Sequence, residues 1–204
     1  MSFTLWFVGL PSCGKSTVAR RVETKLKERG FKVENLDGDN VRQNLHPELG
    51  FSKEDRGTNN RRIGFICKLL NKNDVVAIVA AIAPYREYRE KVREMVEEAG
   101  RFVLIYVECP VEVCRSRDPK GLYEKAERGE IKNFTGVNDP FEAPQEGECQ
   151  IKIDASEQSI EQSTQAVIDG LELLGLVEPR SASGLTTEEE EVVKERLRNL
   201  GYLD

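Results

Sequence analysis

Histidine occurs once in 204 residues, and the five cysteines include no CxxC pair. Those two shortages leave no ligand set with the spacing of a zinc site. The longest strongly apolar run, residues 75–83, is far short of the roughly 20 residues that cross a bilayer as a helix. The opening segment Met1-Ser2-Phe3-Thr4-Leu5-Trp6-Phe7-Val8-Gly9 has no basic region ahead of its apolar stretch. It reads as a first strand, not a signal peptide. Positive charge is not in excess either: 30 Lys and Arg face 36 Asp and Glu, a formal charge of -6. That balance argues against nucleic acid as a partner. Scattered thiols without an export signal predict a reducing, cytoplasmic setting with no membrane partner. What is present is 39% apolar and 32% charged residues over the length of one ordinary domain. A buried core is affordable at that size.

The apolar pattern alternates strand and helix. Strands are predicted at 4–8, 32–36, 75–80, 102–107 and, shorter, 151–153. Between and after them Val18, Val22 and Leu26, then Ile63, Ile66, Cys67 and Leu70, then Val92, Met95, Val96 and Ala99, then Ile160, Val167, Leu171 and Leu174 recur at helical spacing. This order predicts an α/β fold with a central, mostly parallel five-stranded sheet and helices on both faces. Residues 118–149, rich in Gly, Pro, Lys and Glu around a short helical piece near 122–128, read as a lid segment. The body is expected to span 1–176. Residues 177–204 read as a linker and an acidic amphipathic helical tail, with 7 acids against 4 bases from residue 176 on.

Gly9-Leu10-Pro11-Ser12-Cys13-Gly14-Lys15-Ser16 matches GxxxxGK(S/T) directly after a strand and at the start of a helix, the context that motif needs. Glycines let the backbone wrap a phosphate, and the helix N-terminus adds a positive dipole end. Lys15 suits the β- and γ-phosphates, the Ser16 hydroxyl suits Mg²⁺, and Thr17 follows. These residues predict a nucleoside triphosphate site in a P-loop NTPase fold. Cys13 reads as a small side chain in a tight loop. A magnesium carboxylate is expected at a strand end, but the strand at 75–80 runs on into Ala81-Ile82-Ala83-Pro84. The strand at 32–36 ends instead in Asp37-Gly38-Asp39. Were that turn still extended, both carboxylates would project toward the phosphate loop.

Further phrases follow in order: Leu36-Asp37-Gly38-Asp39-Asn40-Val41-Arg42, Gly50-Phe51-Ser52-Lys53-Glu54-Asp55-Arg56, Asn59 with Arg61-Arg62-Ile63-Gly64, and Pro84-Tyr85-Arg86. Then come Arg117-Asp118-Pro119-Lys120-Gly121-Leu122-Tyr123 and Gly129-Glu130-Ile131-Lys132-Asn133-Phe134-Thr135-Gly136. Over about residues 3–175 the series resembles the adenylylsulfate kinase (APS kinase) family. Those enzymes use MgATP to phosphorylate the 3′-hydroxyl of adenosine 5′-phosphosulfate (APS), giving PAPS. The resemblance implies Asp39 at the attacking hydroxyl as base or orienter, with Asp37 nearby and Lys15 on the phosphates. It implies Arg42, Arg56 and Asn59 on the phosphosulfate and ribose, and Phe51 and Phe134 on either side of the substrate adenine. Ile82, Ala83 and Arg86 belong to the same pocket, and Lys120, Gly121 and Leu122 to the lid. Arg117 and Ala155 fall beside the adenine of ATP. Stacking suits a purine, and guanidinium forks suit phosphate and sulfate oxygens. Flanked by Lys132, Asn133, Thr135 and Gly136, Phe134 reads as the less core-like of the two aromatics.

The family is usually a homodimer, and the resemblance leaves open a functional association with ATP sulfurylase. Three departures stand out. Ala83 occupies the place of a common serine, so no phosphoserine forms there, and direct in-line transfer from ATP is the route left. Thr58-Asn59-Asn60 replaces Glu-Asn-Ile, and Gln43-Asn44 replaces His-Gly. Two other readings are a kinase of this fold acting on another nucleotide-like acceptor and a nucleotide-binding module without catalysis.

Overall fold

The computed structural model describes residues 2–45 and 47–179. Five strands, β1 (Phe3–Val8), β2 (Val33–Asp37), β3 (Val76–Ala80), β4 (Arg101–Glu108) and β5 (Ile151–Asp154), form one sheet. Its order is β2-β3-β1-β4-β5, and every neighbouring pair is parallel. The helices are α1 (Lys15–Glu28), α2 (Gly38–Leu45), α3 (Lys53–Lys72), α4 (Arg86–Glu97), α5 (Val111–Arg117), α6 (Leu122–Glu127) and α7 (Ile160–Leu173). The chain winds from β1 outward to β2, returns through β3, and crosses to β4 and β5 on the far side. The carboxyl end of β1 is therefore the switch point where such sheets hold ligands.

Every residue of β1 is buried. Trp6 and Val8 pack with Ala77, Val79, Phe102 and Leu104, against Ile63 and Cys67 of α3 and Val92 and Val96 of α4. Phe3, Leu5 and Phe7 alternate with them and point to the opposite face. Helix α1 contacts β1, β2 and β3. Its buried stripe, Val18, Ala19, Val22 and Leu26, follows the spacing read in the sequence. The buried amide of Asn71 ties the sheet's amino end to α3. It accepts from Thr4 Oγ1 at 2.8 Å and donates to the carbonyls of Phe3 and Val75 at 3.1 and 3.0 Å.

Strand limits agree with expectation to within a residue or so. Helix α3 begins a full two turns before its first apolar marker, because Ser52 caps it by accepting from Asp55 N at 3.1 Å. The first two turns carry few large apolar residues, so periodicity alone does not reveal them. Neither α2 nor α5 is signalled by periodicity; both are short and start at strand ends. Residues Met1–Gly170 form one compact unit, and a second runs from Leu171. The acidic tail expected at 177–204 lies outside the described residues beyond residue 179.

Candidate active site

The phosphate loop leaves β1 at Gly9. Its φ is 153°, and a Cβ there would lie 2.5 Å from the Val107 carbonyl oxygen and 2.9 Å from Cys13 Sγ. No other residue fits without displacing β4. Gly14 follows at φ 101° and opens α1 without a side-chain cap. An uncapped N-terminus offers its first N–H groups to an outside acceptor, which suits a phosphate. Lys15 is buried, and its Nζ donates to the Leu10 carbonyl at 2.7 Å and reaches Cys13 Sγ at 3.6 Å. The ammonium thus sits inside the loop that would hold a phosphate. Ser16 is half-buried and Thr17 exposed, while Pro11 and Cys13 are buried.

The acidic turn differs from its expected geometry. Strand β2 ends at Asp37 and α2 starts at Gly38, so Asp37 and Asp39 are not successive outward residues of one extended strand. Asp37 lies opposite Ala80 in the sheet register, and Asp39 follows in the first turn of α2. The Asp37 carboxylate accepts from Asn40 N at 3.5 Å, turning the chain into the helix, and lies 3.8 Å from Arg20 Nη2. Gly38 is squeezed against the sheet: a Cβ would lie 2.8 Å from the Ala80 carbonyl oxygen.

Arg42 and Arg56 converge on Phe51. The Arg42 guanidinium stacks over its ring at 4.4 Å and donates to the carbonyls of Leu49 and Gly50. Buried Arg56 donates through Nε to the Phe51 carbonyl at 3.1 Å and through Nη2 to the Asn133 carbonyl at 2.6 Å. Burial pulls its guanidinium below the ordinary value, opposed by Asp139, whose Oδ2 is 3.7 Å from Nε. One side chain therefore fastens both aromatic segments. Their burial is the reverse of expectation. Phe51 is 51% exposed, whereas Phe134 is 8% exposed and meets Tyr123 edge to face at 5.0 Å. Polar neighbours in sequence did not keep Phe134 at the surface, because Tyr123 covers it from a different element. Asn59 is buried on α3, and Ile82 is half-buried after β3. Ala83 is buried at φ 41°.

The lid segment is anchored to the phosphate loop. Asp118 caps α6 by accepting from the N–H groups of Leu122 and Tyr123, both at 2.9 Å. Tyr123 Oη then donates to the Pro11 carbonyl at 3.0 Å. Lys120 is exposed, with Gly121 and Leu122 half-buried beside it. On the other flank, Arg117 Nη2 donates to the Ala155 carbonyl at 2.6 Å, bringing together the two residues expected beside the ATP adenine. Burial pushes the thiol of Cys114, near them on α5, up to about 12.

Several side chains organise this region without having been singled out. Asp139 accepts from Tyr85 Oη at 2.9 Å as well as facing Arg56. Tyr123 and Arg89 are buried, and Glu148 joins Arg86 to Arg89. Of these only Tyr123 falls within one of the sequence phrases above; Asp139, Arg89 and Glu148 carry no spacing signal. Among the described residues, no group of three or more His, Cys, Asp or Glu side chains is placed to hold a metal by itself.

A parallel sheet with its phosphate loop at the switch point, an uncapped helix behind that loop and a buried lysine within it define a P-loop phosphotransferase fold. The family model for adenylylsulphate kinase matches residues 1–152. The adenylyl-sulfate kinase of Halothermothrix orenii is 49% identical over 174 residues, 85% of this chain and 91% of that protein. That of Picosynechococcus sp. is 49% identical over 176 residues, 86% of this chain and 97% of that one. Among solved structures, an APS kinase of Mycobacterium tuberculosis in complex with AMPPNP and APS superposes with a TM-score of 0.80 at 41% identity. That match covers 84% of this chain and 98% of the other. The chain belongs to the adenylylsulfate kinase family.

Proposed function

We propose that the protein transfers the γ-phosphoryl group of ATP to the 3′-hydroxyl of APS, yielding PAPS and ADP. The observation that carries this reading is a continuous linkage of family-matched parts. The Phe51 carbonyl, Arg56 and the Asn133 carbonyl form one run; Phe134, Tyr123 and the Pro11 carbonyl continue it to the phosphate loop. An aromatic pair suited to a purine is thereby built onto a loop suited to a triphosphate.

In this reading Lys15 leaves the Leu10 carbonyl to bind the β- and γ-phosphates, while the N-terminus of α1 receives their oxygens. Asp39 accepts the proton of the 3′-hydroxyl or orients it, with Asp37 nearby. Phe51 and Phe134 hold the acceptor adenine. Arg42, Arg56 and Asn59 hold its phosphosulfate and ribose, Ile82, Ala83 and Arg86 complete the pocket, and Lys120, Gly121 and Leu122 close over it. Arg117 and Ala155 border the ATP adenine. Mg²⁺ is held as a rule by one or two protein groups plus phosphate oxygens and water, so the Ser16 hydroxyl and the Asp37 carboxylate suffice in number. When bound, it neutralises charge on the phosphate oxygens. With alanine at 83, transfer is direct from ATP to APS.

The test is formation of ADP and a 3′-phosphorylated product from APS and MgATP, by wild type and Asp39→Ala. Turnover with APS in the wild type and its near loss in the variant are expected. A wild type inert toward APS, or one with a higher kcat/KM for another acceptor, would remove the reading. We further propose a cytoplasmic location, supported by five unpaired thiols. The kinase body is taken to end near residue 176, and a homodimer and a functional association with ATP sulfurylase follow the family; mass measurement and coupled assay check both.

A further inference from the structure

Arg86 is hydrogen-bonded differently from Arg56. Arg42 and Arg56 donate to backbone carbonyls, but Arg86 donates through Nε to Glu148 Oε2 at 3.1 Å. Its terminal nitrogens, Nη1 and Nη2, have no hydrogen-bond partner among the described residues, and the side chain is 32% exposed. Glu148 itself is fixed from several directions. Its Oε1 accepts from Arg89 Nε at 2.6 Å, its Oε2 also accepts from Gln145 N at 3.1 Å, and its main-chain carbonyl accepts from Arg93 Nη2 at 2.6 Å. Arg89, 1% exposed at its side chain, passes the restraint on by donating through Nη1 to the Ala83 carbonyl at 2.9 Å. The same stretch of chain braces the turn from outside: Glu142 N donates to the Pro84 carbonyl at 2.8 Å, and Arg86 N to Glu142 Oε2 at 2.7 Å.

We propose that Glu148 is a positioning residue for the acceptor, holding Arg86 by Nε so that its two terminal N–H groups stay available to the acceptor's anionic end. The inference rests on the reading of Arg86 as part of the APS pocket. Two guanidiniums share the Glu148 carboxylate, and the nearby Glu142 carboxylate is engaged by the Arg86 backbone N–H, so the guanidinium's outer edge is left out of both acids' hydrogen bonds to Arg86. A free arginine side chain loses rotamer entropy when it is ordered, and a guanidinium already held by its inner nitrogen loses less of it on binding. Glu148 acts through Arg86 and touches no substrate.

The experiment is steady-state kinetics with APS and MgATP on wild type, Glu148→Gln, Arg86→Ala and the double variant. Glu148→Gln is expected to raise the KM for APS about tenfold, with kcat and the KM for ATP changed less than about twofold. In the Arg86→Ala background the same change should add less than about twofold, because its target is gone. A merely structural role for the buried Glu148–Arg89 pair would instead lower kcat with no selective effect on the KM for APS, equally in both backgrounds, and would overturn the proposal. If Glu148→Gln does not fold, Glu148→Asp serves: it keeps the charge but withdraws the carboxylate from Arg86 Nε by one methylene, and an unchanged KM for APS would overturn the proposal as well. A wild type without APS-dependent turnover would overturn the acceptor reading itself, and this inference with it. A wild type that turns over APS while Glu148→Gln leaves its KM unaltered would remove only the role of Glu148.

Discussion

Lys15 lies at the point where loop geometry becomes chemistry. Its Nζ is held by the Leu10 carbonyl at 2.7 Å, within the loop that its family uses for phosphate. Lys15→Met keeps most of the buried stem and removes only the charge and its donors. The variant is expected to fold with an unchanged thermal midpoint and to lose at least about a hundredfold in kcat, as for other charge-stabilising groups at phosphoryl transfer. Parallel thermal melts and ADP release check both halves. Gly9 makes the complementary point in backbone. Gly9→Ala would drive a methyl into the Val107 carbonyl, 2.5 Å away, at a φ of 153°. A loss of about 1–3 kcal/mol in stability is expected, together with weaker ATP binding, readable by denaturant titration and nucleotide-induced stabilisation. Both residues were legible from the motif, because the motif's mechanics are local. The clash with β4 was not, since Val107 comes from another strand.

At the scale of elements, α6 and the phosphate loop act as one piece. Tyr123 Oη reaches the Pro11 carbonyl, 112 residues away in sequence, while its ring supports Phe134. Tyr123→Phe retains the ring and removes the hydroxyl. Unfolding should become easier by about 1 kcal/mol, the net worth of one such bond. The KM for ATP should rise several-fold with the loop less restrained. An unaltered KM would detach the lid from the loop functionally. The junction of β1 and α3 offers a purely structural counterpart. Asn71→Leu takes the acceptor from the Thr4 hydroxyl and a donor each from the Phe3 and Val75 carbonyls, the latter keeping Ser2 Oγ, in a buried setting. A loss of about 2–3 kcal/mol is expected in urea unfolding, with KM values unchanged. Sequence periodicity placed the apolar face of α3 but had no means of pairing Tyr123 with Pro11.

For the whole molecule, the arginine–carboxylate fork should leave a mark on acid stability. Burial alone would push the Glu148 carboxyl up, but the hydrogen bond and charge of Arg89, the Gln145 N–H and the Arg86 hydrogen bond together hold it below its ordinary 4.5. A carboxyl lowered in the folded state contributes stability that is fully present above its unfolded value and is lost as pH falls through the folded one. Wild type and Glu148→Gln should therefore differ most above about pH 5 and converge below pH 4.5, once the native carboxyl is protonated too. Urea titrations from pH 7 to pH 3 read this directly; a gap that persists at the acid end would contradict it.

The α/β order, the five strands, the phosphate loop and the phrases that mark the family are all legible along the chain. Each is written in short-range spacing: alternation along a strand, 3.6-residue recurrence along a helix, or a motif of eight contiguous positions. The chain's net charge of -6 argued against polyanionic polymers as partners but described no pocket. Tertiary structure alone decided which side chains meet. Arg56 spans 77 residues to Asn133 and Glu148 spans 62 to Arg86, separations over which no spacing rule operates. It also decided that Phe134 is sheltered while Phe51 stands open, and that the acidic turn bends into a helix after Asp37. Burial depends on what the rest of the chain brings alongside, and only folding brings it there.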